Sequence, residues 1–163
     1  MSKVLIANAY WYRLDPKQWA ASQPYPPLGT LWAAAVLRNQ GEMVSLHDTG
    51  LRRDPNEIAG DLNSIRPDIF VVYDDGFNYL TKMCLTVMRE AAFVMIRHAH
   101  AMGIPVIVCS SDATDHDSLY FGQGADHVIH GEGEQTFIEL VQCLKTGTDA
   151  GTVAGHSFVR DGK

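Results

Sequence analysis

Short apolar runs alternate along this chain with longer stretches whose apolar residues recur at helical spacing. Lys3–Asn8 reads as a buried strand. Gly29–Asn39 has the helical period, and Gly41 suits its C-terminal cap. Met43–His47 reads as a second strand. Asp54-Pro55-Asn56-Glu57 is a helix start: Asp54 caps, Pro55 tolerates the first helical position, and Glu57 reaches back as in a capping box. That helix is expected to run to about Ile65, with Pro67 ending it. Asp68–Tyr73 is a third strand, and Thr81–Met102 a long helix closed by Gly103. Ile104–Cys109 is a fourth strand, and a short helix over Ser118–Gln123 leads to a fifth, Ala125–Ile129. Glu134–Lys145 is the last clear helix.

Strands alternating with helices predict an α/β fold with a parallel sheet. The expected architecture is a doubly wound, Rossmann- or flavodoxin-like sheet of five parallel strands in the order 2-1-3-4-5, with helices on both faces. Ligands of such sheets sit outside the carboxyl ends of the strands. Residues 1–150 are expected to form this domain. Residues 151–163 are expected to begin a linker or hairpin to a further domain, because His156–Arg160 reads as a strand and Asp161-Gly162 as a hairpin turn with no returning strand before Lys163.

Composition narrows the function. The 163 residues fit one domain with a sizeable core. The net charge is −6 and there is no basic run, which argues against nucleic acid as a partner. No apolar stretch reaches roughly 20 residues, so no membrane span is expected. Met1-Ser2-Lys3 runs straight into a strand without a signal-peptide pattern, and a cytoplasmic location is expected. Cys84, Cys109 and Cys143 are odd in number and widely spaced, which fits reduced thiols. No CxxC or CxxxCxxC occurs, so neither zinc nor an iron–sulfur cluster is expected on this segment, and no metal ligands are assigned.

The candidate binding residues come from the loops at the carboxyl edge. The first loop, Ala9 to Leu28, is long and rich in aromatics and proline; it is either functional or a structural lid over the core. At its end Pro27, Leu28, Gly29 and Thr30 are candidate contacts, with Gly29 allowing close backbone approach. After strand three come Asp74, Asp75, Phe77 and Asn78: two acids beside an aromatic, or solvated acids with a helix cap at Asn78. After strand four, Ser110, Ser111, Asp112, Ala113 and Thr114 combine small size with hydrogen-bonding groups, and capping of the next helix is compatible with that role. After strand five, Gly131, Glu132, Gly133 and Glu134 offer close backbone contact and the N–H groups of a helix start, in a setting better suited to amides or ribose hydroxyls than to phosphate. Among the seven histidines only His116 and His130 fall at this edge. No catalytic residue is assigned.

Taken together, these stretches resemble one family. YPPLGTLWAAAVLRNQG at Tyr25–Gly41, RPDIFVV at Arg66–Val72, GADHVIHGEGEQTFIELV at Gly124–Val141 and VAGHSFVRDG at Val153–Gly162 resemble the N-terminal cobalamin-binding domain of cobalamin-dependent radical S-adenosylmethionine enzymes. That family includes methyltransferases and the anaerobic cyclase of magnesium-protoporphyrin monomethyl ester. The resemblance covers nearly the whole chain. It implies a domain that binds cobalamin and is not itself catalytic, with its own C-terminal radical domain as partner. It places the iron–sulfur cluster and S-adenosylmethionine in that other domain. The DxHxxG motif, whose histidine ligates cobalt in methionine-synthase-type domains, does not occur. The resemblance therefore implies cobalamin with its dimethylbenzimidazole displaced and no histidine ligand from that motif. Ser110-Ser111-Asp112 departs from the GGPH-like sequence many members carry after strand four.

Other readings of the fold lack their motifs. A phosphate-accepting receiver domain needs an acidic pair after strand one, where Ala7-Asn8-Ala9 stands. A nicotinamide site needs GxGxxG there. A flavin carrier is compatible with the fold alone, which is no warrant for function. The competing class is an interaction module that has lost its cofactor, to which the apolar residues around the Thr81–Met102 helix would contribute a partner surface.

Overall fold

The computed structural model describes residues 1–74 and 85–159. A six-stranded sheet runs in the order β2-β1-β3-β4-β5-β6. Its strands are β1 (Lys3–Ala7), β2 (Met43–His47), β3 (Ile69–Tyr73), β4 (Val106–Cys109), β5 (His127–Ile129) and β6 (His156–Phe158). The first five are parallel, in the order expected. The sheet corrects the expected count by one: β6 adds antiparallel to β5, pairing His127 with Phe158 and Ile129 with His156. The strand read at His156–Arg160 is thus a sheet edge. The Asp161-Gly162 turn lies outside the described residues.

The alternation of side chains along the strands divides the core in two. Leu5, Phe70, Val72, Val106 and Val108 face α3 (Ile58–Ile65) and α4 (Leu85–Ala101). Val4, Ile6, Val71, Ile107 and Ile129 face α2 (Leu28–Asn39) and α7 (Glu134–Thr146). Both faces are covered, so β1 and β3 read as continuous apolar runs rather than alternating ones. Within α4, Met88, Ala91, Ala92, Phe93, Met95, Ile96 and Ala99 are all buried. The long apolar helix is therefore a core helix, and most of the surface the interaction reading needed is spent inside.

Helix ends follow local chemistry. Asp54 and Glu57 form the expected capping box, here on a 3-10 turn over Pro55–Glu57 that leads into α3. The same Asp-Pro signal also opens α1 (Pro16–Ala21), within the stretch read as a loop: Asp15 accepts from the N–H groups of Lys17 and Gln18 at 3.1 and 3.0 Å. Tyr10 Oη donates to the other Asp15 oxygen at 3.0 Å. Two further short helices, α5 (Ser111–Asp115) and α6 (Asp117–Phe121), replace the single one expected over Ser118–Gln123. Among the described residues no helix is long and apolar enough to cross a membrane.

The β5–β6 edge contains a titratable pair. His127 is 7% exposed, and its Nδ1 finds no hydrogen-bond partner among the described residues. Its ring lies 5.2 Å from that of His156 and 6.3 Å from Phe158. Burial, reinforced by the charge of His156, pulls His127 down to about 4. The folded value lies below the unfolded one, so this contribution to stability is complete above about pH 6.5 and is lost as pH falls towards 4, up to about 3 kcal/mol. Urea unfolding of the wild type and His127→Phe at about pH 7 and about pH 4.5 is expected to show the wild type losing about 2–3 kcal/mol more than the variant on acidification. Equal losses would mean that the imidazole is solvated in the native state.

Candidate functional site

The carboxyl ends of β3, β4 and β5 open onto a cavity of about 440 Å³, within the usual range for small-molecule sites. The side of α2 contributes Gly29, and the end of β3 contributes Tyr73 and Asp74. Cys109, Ser110, Ser111, Thr114 and Asp115 come from the end of β4 and from α5. Gly131, Glu132, Gly133 and Glu134 come from the turn after β5 and the first residue of α7.

Each wall has a local cause. Thr30, in the first turn of α2, is buried and donates to the carbonyl of Tyr73 at 2.7 Å, which fastens α2 to the end of β3. Gly133 is pressed onto the sheet: a Cβ there would stand 2.7 Å from Ile129 Cγ2 and 2.9 Å from Cys109 Sγ. Glycine is required at that point for α7 to begin so close to the strands. Gly131 has φ of +71° and open space around it, as a turn facing a ligand needs. At the back wall, burial pushes the Cys109 thiol up to about 12; the hydrogen bond with Tyr73 opposes this, and the charges of Glu134 and Asp74 add to it.

Helical geometry sorts the β4 loop. In α5, positions 111, 114 and 115 share one side and line the cavity, the i, i+3, i+4 relation of neighbours on a helix surface. Positions 112 and 113 point the other way. Ala113 is fully buried in the core. Asp112 takes both oxygens to Arg89, Nε donating at 2.6 Å and Nη2 completing the pair, and also accepts from Tyr120 Oη at 2.7 Å. Burial raises the Asp112 carboxyl, but the hydrogen bonds from Arg89 and Tyr120 outweigh it and hold the group below the usual carboxylate range. Ser110 caps α5, its Oγ accepting from Ala113 N at 3.0 Å. Asp74, Ser110 and Ser111 also border a second, water-sized cavity of about 10 Å³ beside Arg89 and Asp112.

The expected contacts therefore divide. Gly29, Asp74, Ser110, Ser111, Thr114, Gly131, Glu132, Gly133 and Glu134 line the large cavity. Thr30 fastens its wall, and Pro27 is the residue preceding α2. Leu28 is 67% exposed and does not line the cavity, and Asp112 and Ala113 face away from it. Asp75, Phe77 and Asn78 lie outside the described residues. His116 is on the surface 4.0 Å from Asp112, and His130 Nε2 pairs with Ser157 Oγ at 2.6 Å; neither lines the cavity. Tyr73, Cys109 and Asp115 line it and were not singled out from sequence. Tyr73 and Cys109 are the last residues of their strands, which is the signal that marks them. Among the described residues no group of three or more His, Cys, Asp or Glu could hold a metal ion.

With this geometry, known proteins fall into a pattern. No known family profile matches the chain. It is 29% identical over 147 residues to an uncharacterized methyltransferase of Pyrococcus horikoshii, a match covering 85% of this chain and 29% of that protein. Among solved structures it is similar to the radical S-adenosylmethionine methyltransferase TsrM from Kitasatospora setae with cobalamin and a 4Fe-4S cluster bound. The TM-score is 0.73 at 20% identity, over 99% of this chain and 30% of that one. TsrM with tryptophan substrate and the S-adenosylmethionine analogue aza-SAM gives a TM-score of 0.68 at 17% identity, over 99% and 29%. The chain thus spans less than a third of the length of each of these proteins. The fold is the one the sequence resemblance implied, and both of these structural neighbours are structures of a radical S-adenosylmethionine methyltransferase.

The Arg89–Asp112–Tyr120 cluster makes a stability test. Arg89→Met leaves the Asp112 carboxylate, of which 5% is exposed, without its cation. It is expected to cost about 2–4 kcal/mol in denaturant unfolding, by analogy with broken buried pairs. Tyr120→Phe is expected to cost about 1 kcal/mol, one hydrogen bond to a group that keeps another partner.

Proposed function

We propose that this chain is the cobalamin-binding domain of a radical S-adenosylmethionine methyltransferase, non-catalytic by itself. The single observation that carries the reading is the glycine-walled cavity at the carboxyl edge, in a fold shared with a methyltransferase whose structure holds cobalamin. The iron–sulfur cluster, S-adenosylmethionine and substrate contacts then belong to a further domain that is this domain's partner. The methyltransferase relative favours methyl transfer over the cyclase chemistry of the wider family.

The residues present fit such a cofactor. The aromatics of the first loop do not plug the cavity: Tyr10, Trp11 and Tyr12 pack into the core on the α3–α4 side of the sheet. Gly131 and Gly133 let a bulky ligand approach the backbone, while Ser110, Ser111 and Thr114 bring hydroxyl-bearing residues to the wall. When bound, cobalamin supplies a cobalt centre that accepts and passes on a methyl group. The chain's own residues orient it and shield it from water. With no DxHxxG motif in the sequence, cobalamin bound here would take no histidine from that motif, and the family resemblance implies that its dimethylbenzimidazole would be displaced.

Reconstitution with hydroxocobalamin is expected to give a cobalt-corrin absorption spectrum that co-elutes near stoichiometrically with the protein on gel filtration. Ser111→Trp, a half-buried position on the cavity wall, is expected to keep the circular dichroism of the wild type and lose the bound corrin. Absence of retention for wild-type protein under both reducing and oxidising conditions would favour the interaction-module reading.

A further inference from the structure

Among the described residues, the lining of the cavity has a one-sided charge. Asp115 and Glu132 stand exposed at its edge, Glu134 is half-buried at the first position of α7, and Asp74 is buried at the end of β3. No lysine, arginine or histidine is among the described residues that line it. The field of these carboxylates reaches the back wall, where Glu134 and Asp74 add to burial in raising the Cys109 thiol. Backbone donors complement the acceptors. Gly133 precedes α7 and has no side chain to cap it, and the first N–H groups of a helix have no partner within the helix.

Carboxylate acceptors beside backbone donors match a primary amide, which offers an NH₂ group and a carbonyl oxygen together. A carboxylate in the same place keeps the acceptor, loses the donor and meets like charge. We infer that the cavity selects for uncharged carboxamide arms and against their carboxylate counterparts, so that this domain distinguishes fully amidated corrinoids from free-acid ones. The inference rests on the cobalamin reading and deepens it by naming the chemistry of the ligand's periphery. The class of reaction that must precede loading is then amidation of the corrin carboxylates. A precursor that still bears them is held poorly.

The test compares hydroxocobalamin with its mono-, di- and tricarboxylic acids, made by mild hydrolysis of the peripheral amides, so that cobalt and the nucleotide arm stay the same. Binding is followed by the corrin absorption change at low ionic strength. The tricarboxylic acid is expected to bind at least about fivefold more weakly than hydroxocobalamin, the size of one close like-charge contact in a water-like dielectric. The gap is expected to close at about 1 M salt, where screening is short-ranged. It is also expected to shrink in Asp115→Asn/Glu132→Gln, which changes two exposed carboxylates and spares the core. Equal affinities for the amide and acid forms at low salt, or a gap unchanged in the double variant, would overturn the inference and leave cobalamin binding intact. Failure of hydroxocobalamin itself to bind would overturn both.

Discussion

Four parallel strands buried on both faces, β1, β3, β4 and β5, with the more exposed β2 paired at the edge, constrain all else in this protein. A parallel sheet needs helical crossovers on both sides, and once α2 and α7 cover one face and α3 and α4 the other, the interiors of β1, β3, β4 and β5 have almost no solvent contact left to give. Chemistry can occur only where the strands end. All five run the same way, so their carboxyl ends gather at one edge, and the turns there meet regardless of their separation in the chain. Gly29, Asp74, Ser111 and Gly133 share a cavity wall for this reason.

How tightly the helices settle on the sheet sets the cavity's shape. Gly133 brings the start of α7 within a methyl group's reach of Ile129 and Cys109, and Thr30 ties α2 to the end of β3. On the other side, Arg89 and Tyr120 hold Asp112, which anchors α5 from behind while its front face presents Ser111, Thr114 and Asp115. The polar residues of the β4 segment thus have two jobs, set by which side of a single helical turn they occupy. A carboxylate that looks available in a loop, Asp112, is committed to structure, and a neighbouring one, Asp115, faces the cavity.

The edge strand β6 is held from one side. Among the described residues it pairs only with β5, through three residues, and it sets the half-buried His156 against the buried His127. A buried neutral histidine is tolerable near neutrality and costly in acid. The β5–β6 edge is accordingly sensitive to acid through His127.

The order of the elements, the parallel direction of five strands and the edge at which a ligand would sit were legible in the sequence, because apolar period and turn residues are local signals. The capping box at Asp54 and the glycines at positions 131 and 133 were legible for the same reason. The same Asp-Pro signal at Asp15-Pro16 marks α1, yet the aromatic and proline-rich stretch around it reads as loop. What only the tertiary structure decided is which side chains point where. Asp112 and Ala113 sit beside Ser111 and Thr114 in the chain but face the opposite way, because a five-residue helix formed where a loop was expected. Tyr73 and Cys109 read as core strand residues and yet form the back wall, since a strand's last residue belongs both to the core and to the cavity above it. The strand at His156–Phe158 was legible too, but only the fold shows that it adds to this sheet, antiparallel to β5. Sequence period encodes which face of an element is apolar; only packing determines what that face meets.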